Sequence, residues 1–266
     1  MSLNSDWPQD LPPSADPLSR PDEAYPSSSP ENPPWSGWDV LRIALLMFGL
    51  PFLLLPIVAV IVHKRFYPGL PLDAVLRKPW LALSTELFVY ILVIGYMIMF
   101  VEGKFHQRFW PAIRWIWPSH QWPTLAVLGA AMVSLQGLER FFRIPKHVPM
   151  EDFLSTPLLA ALTGVFAISF GPLMEELFFR GFLYPTLARR FGMLVAIVST
   201  AIPFALIHGL QLEFALGLVF IIFLVGLVLT IVRAKTGSVA ASFVVHVAYN
   251  STLVILGALS SGHGLK

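Results

Sequence analysis

Apolar runs of bilayer length follow one another along this chain and leave few folds open to it. They occupy residues 39–62, 80–101, 123–139, 154–170, 193–210, 212–233 and 237–259, the fourth continuing into a charged motif. A helix needs about 20 mostly apolar residues to cross a hydrocarbon core. Within that core only helices and closed barrels satisfy their own backbone hydrogen bonds. Runs of this length predict an all-α, polytopic transmembrane bundle of about seven spans. Composition agrees: 13% of residues are charged, against about 25% in soluble domains. Pro51 and Pro56 lie inside the first run, where neighbouring helices can compensate for the lost hydrogen bonds.

The runs also divide the chain. Residues 1–36 hold 9 of the 23 prolines and many serines, a composition that buries too little apolar surface to offset its ordering entropy. They read as a disordered acidic tail that can be shortened by residues 1–34 without loss of catalysis, and not as a signal peptide, since no apolar segment opens them. Residues 37–153 read as N-terminal transmembrane helices. Within them 104–122 ("KFHQRFWPAIRWIWPSHQW") mixes Trp, Phe and basic residues, as an interfacial segment does. Residues 154–266 form the remaining unit. The tail carries one base, Arg20, against six acids, and the rest carries 17 bases against 10 acids. Those bases flank the apolar runs, which indicates membrane topology and not nucleic-acid binding. Arg189/Arg190 and Arg233/Lys235 place their two loops in the cytoplasm by the positive-inside rule. With no cysteine there is neither a disulfide nor a thiolate metal site.

A charged group at membrane depth is costly, and is usually paired, cavity-facing and functional. Most acids and five of the seven histidines (His63, His106, His120, His147, His263) sit in loops or at run ends, and Glu86, near the start of the second run, suggests no role. The exceptions cluster between Glu175 and Asn250. Glu176 and Arg180 are i,i+4 with the acid first, the favourable order for an ion pair within one helix. Glu175 lies about 100° around that helix and is left to face something else. Phe204 and His208 are i,i+4 in "FALIH", and so are His246 and Asn250 in "HVAYN". Three helices therefore carry Glu175, His208, and His246 with Asn250, and packing can bring them to one cavity. Pro172, after a helix break at Gly171, suits the first position of a new helix. A carboxylate and an imidazole sharing a water can deprotonate it for attack on a carbonyl. A second imidazole and an amide can donate to the oxyanion. Glu175, His208 and His246 also suit three zinc ligands with an open water position. The residues alone leave both chemistries open, although an amide one turn from His246 suits an oxyanion better than zinc. The blander reading makes Glu176–Arg180 a structural ion pair, the histidines inter-helix hydrogen-bond partners, and Phe178, Phe179 and Phe204 packing residues.

"EELFFR", "FALIH" and "HVAYN", in this order on successive apolar helices, resemble the CPBP family. These are the CAAX proteases and bacteriocin-processing enzymes, also called the Abi family, which includes the type II CAAX prenyl endopeptidase. The resemblance covers about residues 154–259. It implies an intramembrane endopeptidase in which Glu175 and His208 activate water, His246 and Asn250 hold the oxyanion, and Glu176, Arg180 and Phe204 support them. The family is described both as metalloprotease and as glutamic-type protease, so the cofactor expectation is none or zinc, the metal-free site preferred. The implied substrate is a membrane-associated peptide or protein, prenylated in some relatives, in the bilayer, which in a bacterial host is the plasma membrane. A non-catalytic immunity or scaffold protein of the same fold is the alternative. A proton-coupled transporter fits less well, since no inverted repeat is visible.

Overall fold

The computed structural model describes residues 31–142 and 153–262, whose regular elements are all helices, with no strand among them. Seven rods follow in chain order. They are α1 (Gly37–Phe66), α2 (Pro79–Phe105), α3 (Trp122–Ala131, continuing as a 3₁₀ stretch Met132–Phe141), α4 (Pro157–Phe191), α5 (Met193–Gly209), α6 (Leu216–Thr236) and α7 (Val239–Gly262). Rods α1, α2, α4, α6 and α7 are long and apolar enough to cross a membrane. This is an integral membrane protein. The other two expected runs are the shorter rods. Rod α5 has 17 residues, or about 26 Å of helix, and α3 is a true α-helix for only its first 10 residues.

Rod α5 packs along α6, α3 along α7, and α7 against both α6 and α4. Gly129 allows the α3–α7 approach, because a Cβ there would lie 2.3 Å from the Val245 carbonyl oxygen and 2.8 Å from the Ala248 Cβ. Small residues at membrane-helix contacts serve this purpose. Rod α2 turns Thr85, Val89, Tyr90, Val93, Met97 and Val101 inward, and Ser84, Phe88, Ile91 and Leu92 outward. The segment read as interfacial runs along the bundle end: Val239 donates its N–H to the Arg114 carbonyl (3.0 Å), Ser238 Oγ donates to the Ile116 carbonyl, and Trp110, Trp117 and Trp122 stay exposed.

Residues 31–36 correct the expected tail boundary, while residues 1–30 lie outside the described residues. The Glu31 carboxylate takes both terminal nitrogens of Arg233 (2.8 and 3.2 Å) and Nη1 of Arg114 (3.2 Å). Arg189 donates to the Pro33 and Trp35 carbonyls (2.5 and 3.0 Å). Trp35 is buried against Phe182 and donates its indole N–H to the Phe182 carbonyl at 3.2 Å. Both arginine-bearing loops thus meet the same strap at one end of the bundle. Proline and serine content hid these anchors, since the strap docks by two side chains and two carbonyls and needs no apolar periodicity. A chain that starts at residue 37 is expected to lose about 3–5 kcal/mol, the cost of a deleted core Trp. One that starts at residue 31 is expected to keep wild-type stability. Thermal unfolding in detergent compares the two.

Candidate active site

Pro172 shapes the site helix. It has no N–H for the Ile168 carbonyl, and its ring crowds that oxygen. The first segment of α4 accordingly ends at Ile168, and Ser169 leaves helical geometry at φ −129, ψ −84. Helix resumes at Phe170, so the break falls two residues before the expected Gly171 and Pro172 is not the first helical residue. The Asn250 amide donates to the Ala167 carbonyl at 2.7 Å, which ties α7 to the break.

Beyond Glu175, α4 widens into a π-helical segment, Glu176–Leu183. Such segments are frequent at functional sites and re-aim the side chains around them. Glu176 and Arg180 are both fully buried and pair at 2.9 Å as their spacing predicts. Arg180 also donates to the Gly226 carbonyl (3.1 Å), and its guanidinium lies 4.5 Å from the centre of the Phe204 ring. A Cβ at Gly226 would meet that ring at 2.9 Å, so glycine lets the α6 backbone reach the arginine.

The structure brings Glu175, His208 and His246 together. Glu175 Oε1 lies 3.6 Å from His208 Nε2, and Oε2 lies 3.7 Å from His246 Nε2. Phe204 packs beside both rings, with centroids at 4.8 and 6.0 Å. The far nitrogens are held as well: His208 Nδ1 is 2.7 Å from the Phe204 carbonyl, and His246 Nδ1 is 3.0 Å from Glu176 Oε1. A carbonyl and a carboxylate only accept, so both Nδ1 atoms carry the hydrogen. Both Nε2 lone pairs then face a carboxylate that also only accepts. A guest with two hydrogens to donate, such as water, satisfies this cleft.

His246 bridges Glu175 and Glu176, and Asn250 has one amide hydrogen committed to the Ala167 carbonyl. The imidazoles address different oxygens of Glu175, and among the described residues no group of three His, Cys, Asp or Glu side chains is arranged to hold a metal ion. Sequence reasoning also passed over Glu86. It accepts from the Tyr90 hydroxyl at 2.8 Å and interacts electrostatically with Glu175 and His208. Its signal was an acid one turn before a tyrosine inside an apolar run.

No curated protein and no solved structure matches the chain. A family model does match: that of the Type II CAAX prenyl endopeptidase Rce1-like family matches residues 157–252, which contain all three motifs.

Proposed function

We propose that the protein hydrolyses a peptide bond near the C-terminus of a prenylated, membrane-anchored substrate, using water held between Glu175 and His208. The observation that carries this reading is the Glu175 carboxylate bracketed by two imidazole Nε2 atoms at 3.6 and 3.7 Å. Glu175 takes a proton from the water while His208 orients it, and the hydroxide adds to the scissile carbonyl carbon. The new oxyanion faces His246 and the second amide hydrogen of Asn250. His246 Nδ1 donates to Glu176, so Nε2 is the ring nitrogen turned to the substrate, and Asn250 supplies the amide donor. As the C–N bond breaks, Glu175 returns its proton to the leaving amine. Glu176 and Arg180 position His246 and take no part in bond making. No step is routed through a metal.

The test is mass spectrometry of a farnesylated peptide incubated with purified protein in lipid bilayers. The expected product has lost the residues C-terminal to the prenylated cysteine. Protein depleted of metal by chelation is expected to cleave at the untreated rate. Asn250→Ala is expected to lower turnover about 10²–10³-fold, the usual cost of one oxyanion donor. Zinc-dependent recovery after chelation would overturn the metal-free mechanism, and an intact peptide with wild-type protein would favour the scaffold alternative.

A further inference from the structure

The π-helical segment leaves a carbonyl that its own backbone does not serve. In an α-helix the Arg180 carbonyl would accept from the Tyr184 N–H, and in a π-helix from the N–H of residue 185. Tyr184 gives its N–H to the Phe179 carbonyl, and residue 185 is proline, which has none. Arg233 of α6 fills the place, its Nε donating to the Arg180 carbonyl at 3.2 Å. Two residues on, the Phe182 carbonyl accepts from the Thr186 hydroxyl at 2.8 Å and from the Trp35 indole at 3.2 Å. The end of the π-helical segment is thus held from outside its own helix, by α6 and by the strap.

Arg233 is itself aimed. It is 1% exposed, and its terminal nitrogens meet separate oxygens of Glu31, Nη1 with Oε1 at 2.8 Å and Nη2 with Oε2 at 3.2 Å. A guanidinium is planar, so a carboxylate that grips both terminal nitrogens also fixes the direction of the Nε–H. On the other side of the segment, Arg180 Nη1 donates to Glu176 Oε1 at 2.9 Å, and the same oxygen accepts the Nδ1 hydrogen of His246 at 3.0 Å. An unbroken series of contacts therefore runs from Glu31 to His246. An orphaned buried carbonyl is costly, and without Arg233 the helix donor within reach of Arg180 is the Tyr184 N–H. Taking it back restores α-helical register and turns Glu176 against the residues that follow.

We propose that Glu31 and Arg233 are positioning residues for the hydrolysis. The Glu31 carboxylate aims Arg233 at the Arg180 carbonyl and so locks the π-helical register that presents Glu176 to His246. This rests on the protease reading. It gives the strap a share in catalysis, and both residues lie outside the three motifs.

Kinetics on a farnesylated peptide and NMR of protein labelled with ¹⁵N-histidine test it, the His246 Nδ1 signal being assigned by its loss in His246→Asn. Glu31→Gln cannot take both Arg233 nitrogens. It is expected to lower kcat about 10–100-fold with KM unchanged, the scale of a small misplacement at a distance from the chemistry, and to shift the His246 signal. A chain that starts at residue 35, which keeps Trp35 and lacks Glu31, is expected to do the same. Asp39→Asn breaks the Lys104 pair and the α1 cap at the same end of the bundle, and is expected to change neither readout. Should Glu31→Gln fail to fold, Arg233→Lys keeps a cation for Glu31 but has no second donor for the Arg180 carbonyl, and must show the same fall and shift. A wild-type kcat, a fall without the shift, or an equal fall in Asp39→Asn overturns the proposal. The protease reading fails differently, with wild-type protein inert on the peptide, and the shift of the His246 signal still decides whether Glu31 positions that ring.

Discussion

Glu175→Gln is expected to reduce peptide cleavage by about 10²–10⁴-fold, the usual worth of a positioned general base, while the protein still inserts and unfolds at the wild-type temperature. The substitution keeps the shape of the side chain and removes its ability to take a proton. The surroundings absorb the change. Among the described residues the Glu175 carboxylate makes no polar contact closer than its 3.6 and 3.7 Å approaches to the two imidazoles, and the buried charge balance rests on the neighbouring Glu176–Arg180 pair. Lost activity with unchanged stability therefore separates a chemical role for Glu175 from a packing role. His208→Ala is expected to act in the same direction, since it removes the second acceptor for the water.

Arg180→Ala has the opposite signature, a large loss of stability. Both partners of the pair are fully buried, and removing one member of such a pair costs roughly 3–5 kcal/mol because the other charge is left uncompensated. The substitution also removes the 3.1 Å bond that joins α4 to the Gly226 carbonyl, leaving that oxygen with its Thr230 hydroxyl donor, and empties the space against Phe204. Thermal unfolding in detergent and yield of folded protein measure the effect. A buried ion pair replaced as a whole is often no less stable than the original, so Glu176→Gln combined with Arg180→Met is expected to recover much of the loss. Activity does not recover with it, since His246 Nδ1 then loses its carboxylate acceptor. A stable but inactive Arg180→Ala protein would contradict the supporting role and make Arg180 a direct participant.

The motif residues were legible because helical spacing places them without knowledge of packing. Glu176 and Arg180 meet as their i,i+4 separation requires, and apolar run length locates the helices that carry Glu175, His208 and His246. What spacing cannot give is the rotation of one helix against another. The His246–Glu176 contact, the Asn250 bond to the Ala167 carbonyl and the inward turn of Glu86 all depend on how α7 and α2 are set against α4. The helix break falls before Gly171 because the steric demand of Pro172 acts four residues back, on Ile168. The π-helical segment left no mark in composition. The strap at residues 31–36 was missed for a different reason. Its anchors are single groups, the Glu31 carboxylate and the Trp35 ring, and periodicity analysis is blind to single groups. Rod α3 shows the limit of run length, because hydropathy does not register its passage from α to 3₁₀ geometry.

The most direct measurement compares wild-type and Glu175→Gln proteins, each purified and returned to lipid bilayers, on one farnesylated peptide followed by mass spectrometry. Wild-type protein is predicted to release the residues C-terminal to the prenylated cysteine, with the same rate after chelation, and the Gln variant, folded to the same thermal midpoint, is predicted to release essentially none. Cleavage by Glu175→Gln at the wild-type rate would contradict the account, because the proton of the attacking water would then be taken by another group.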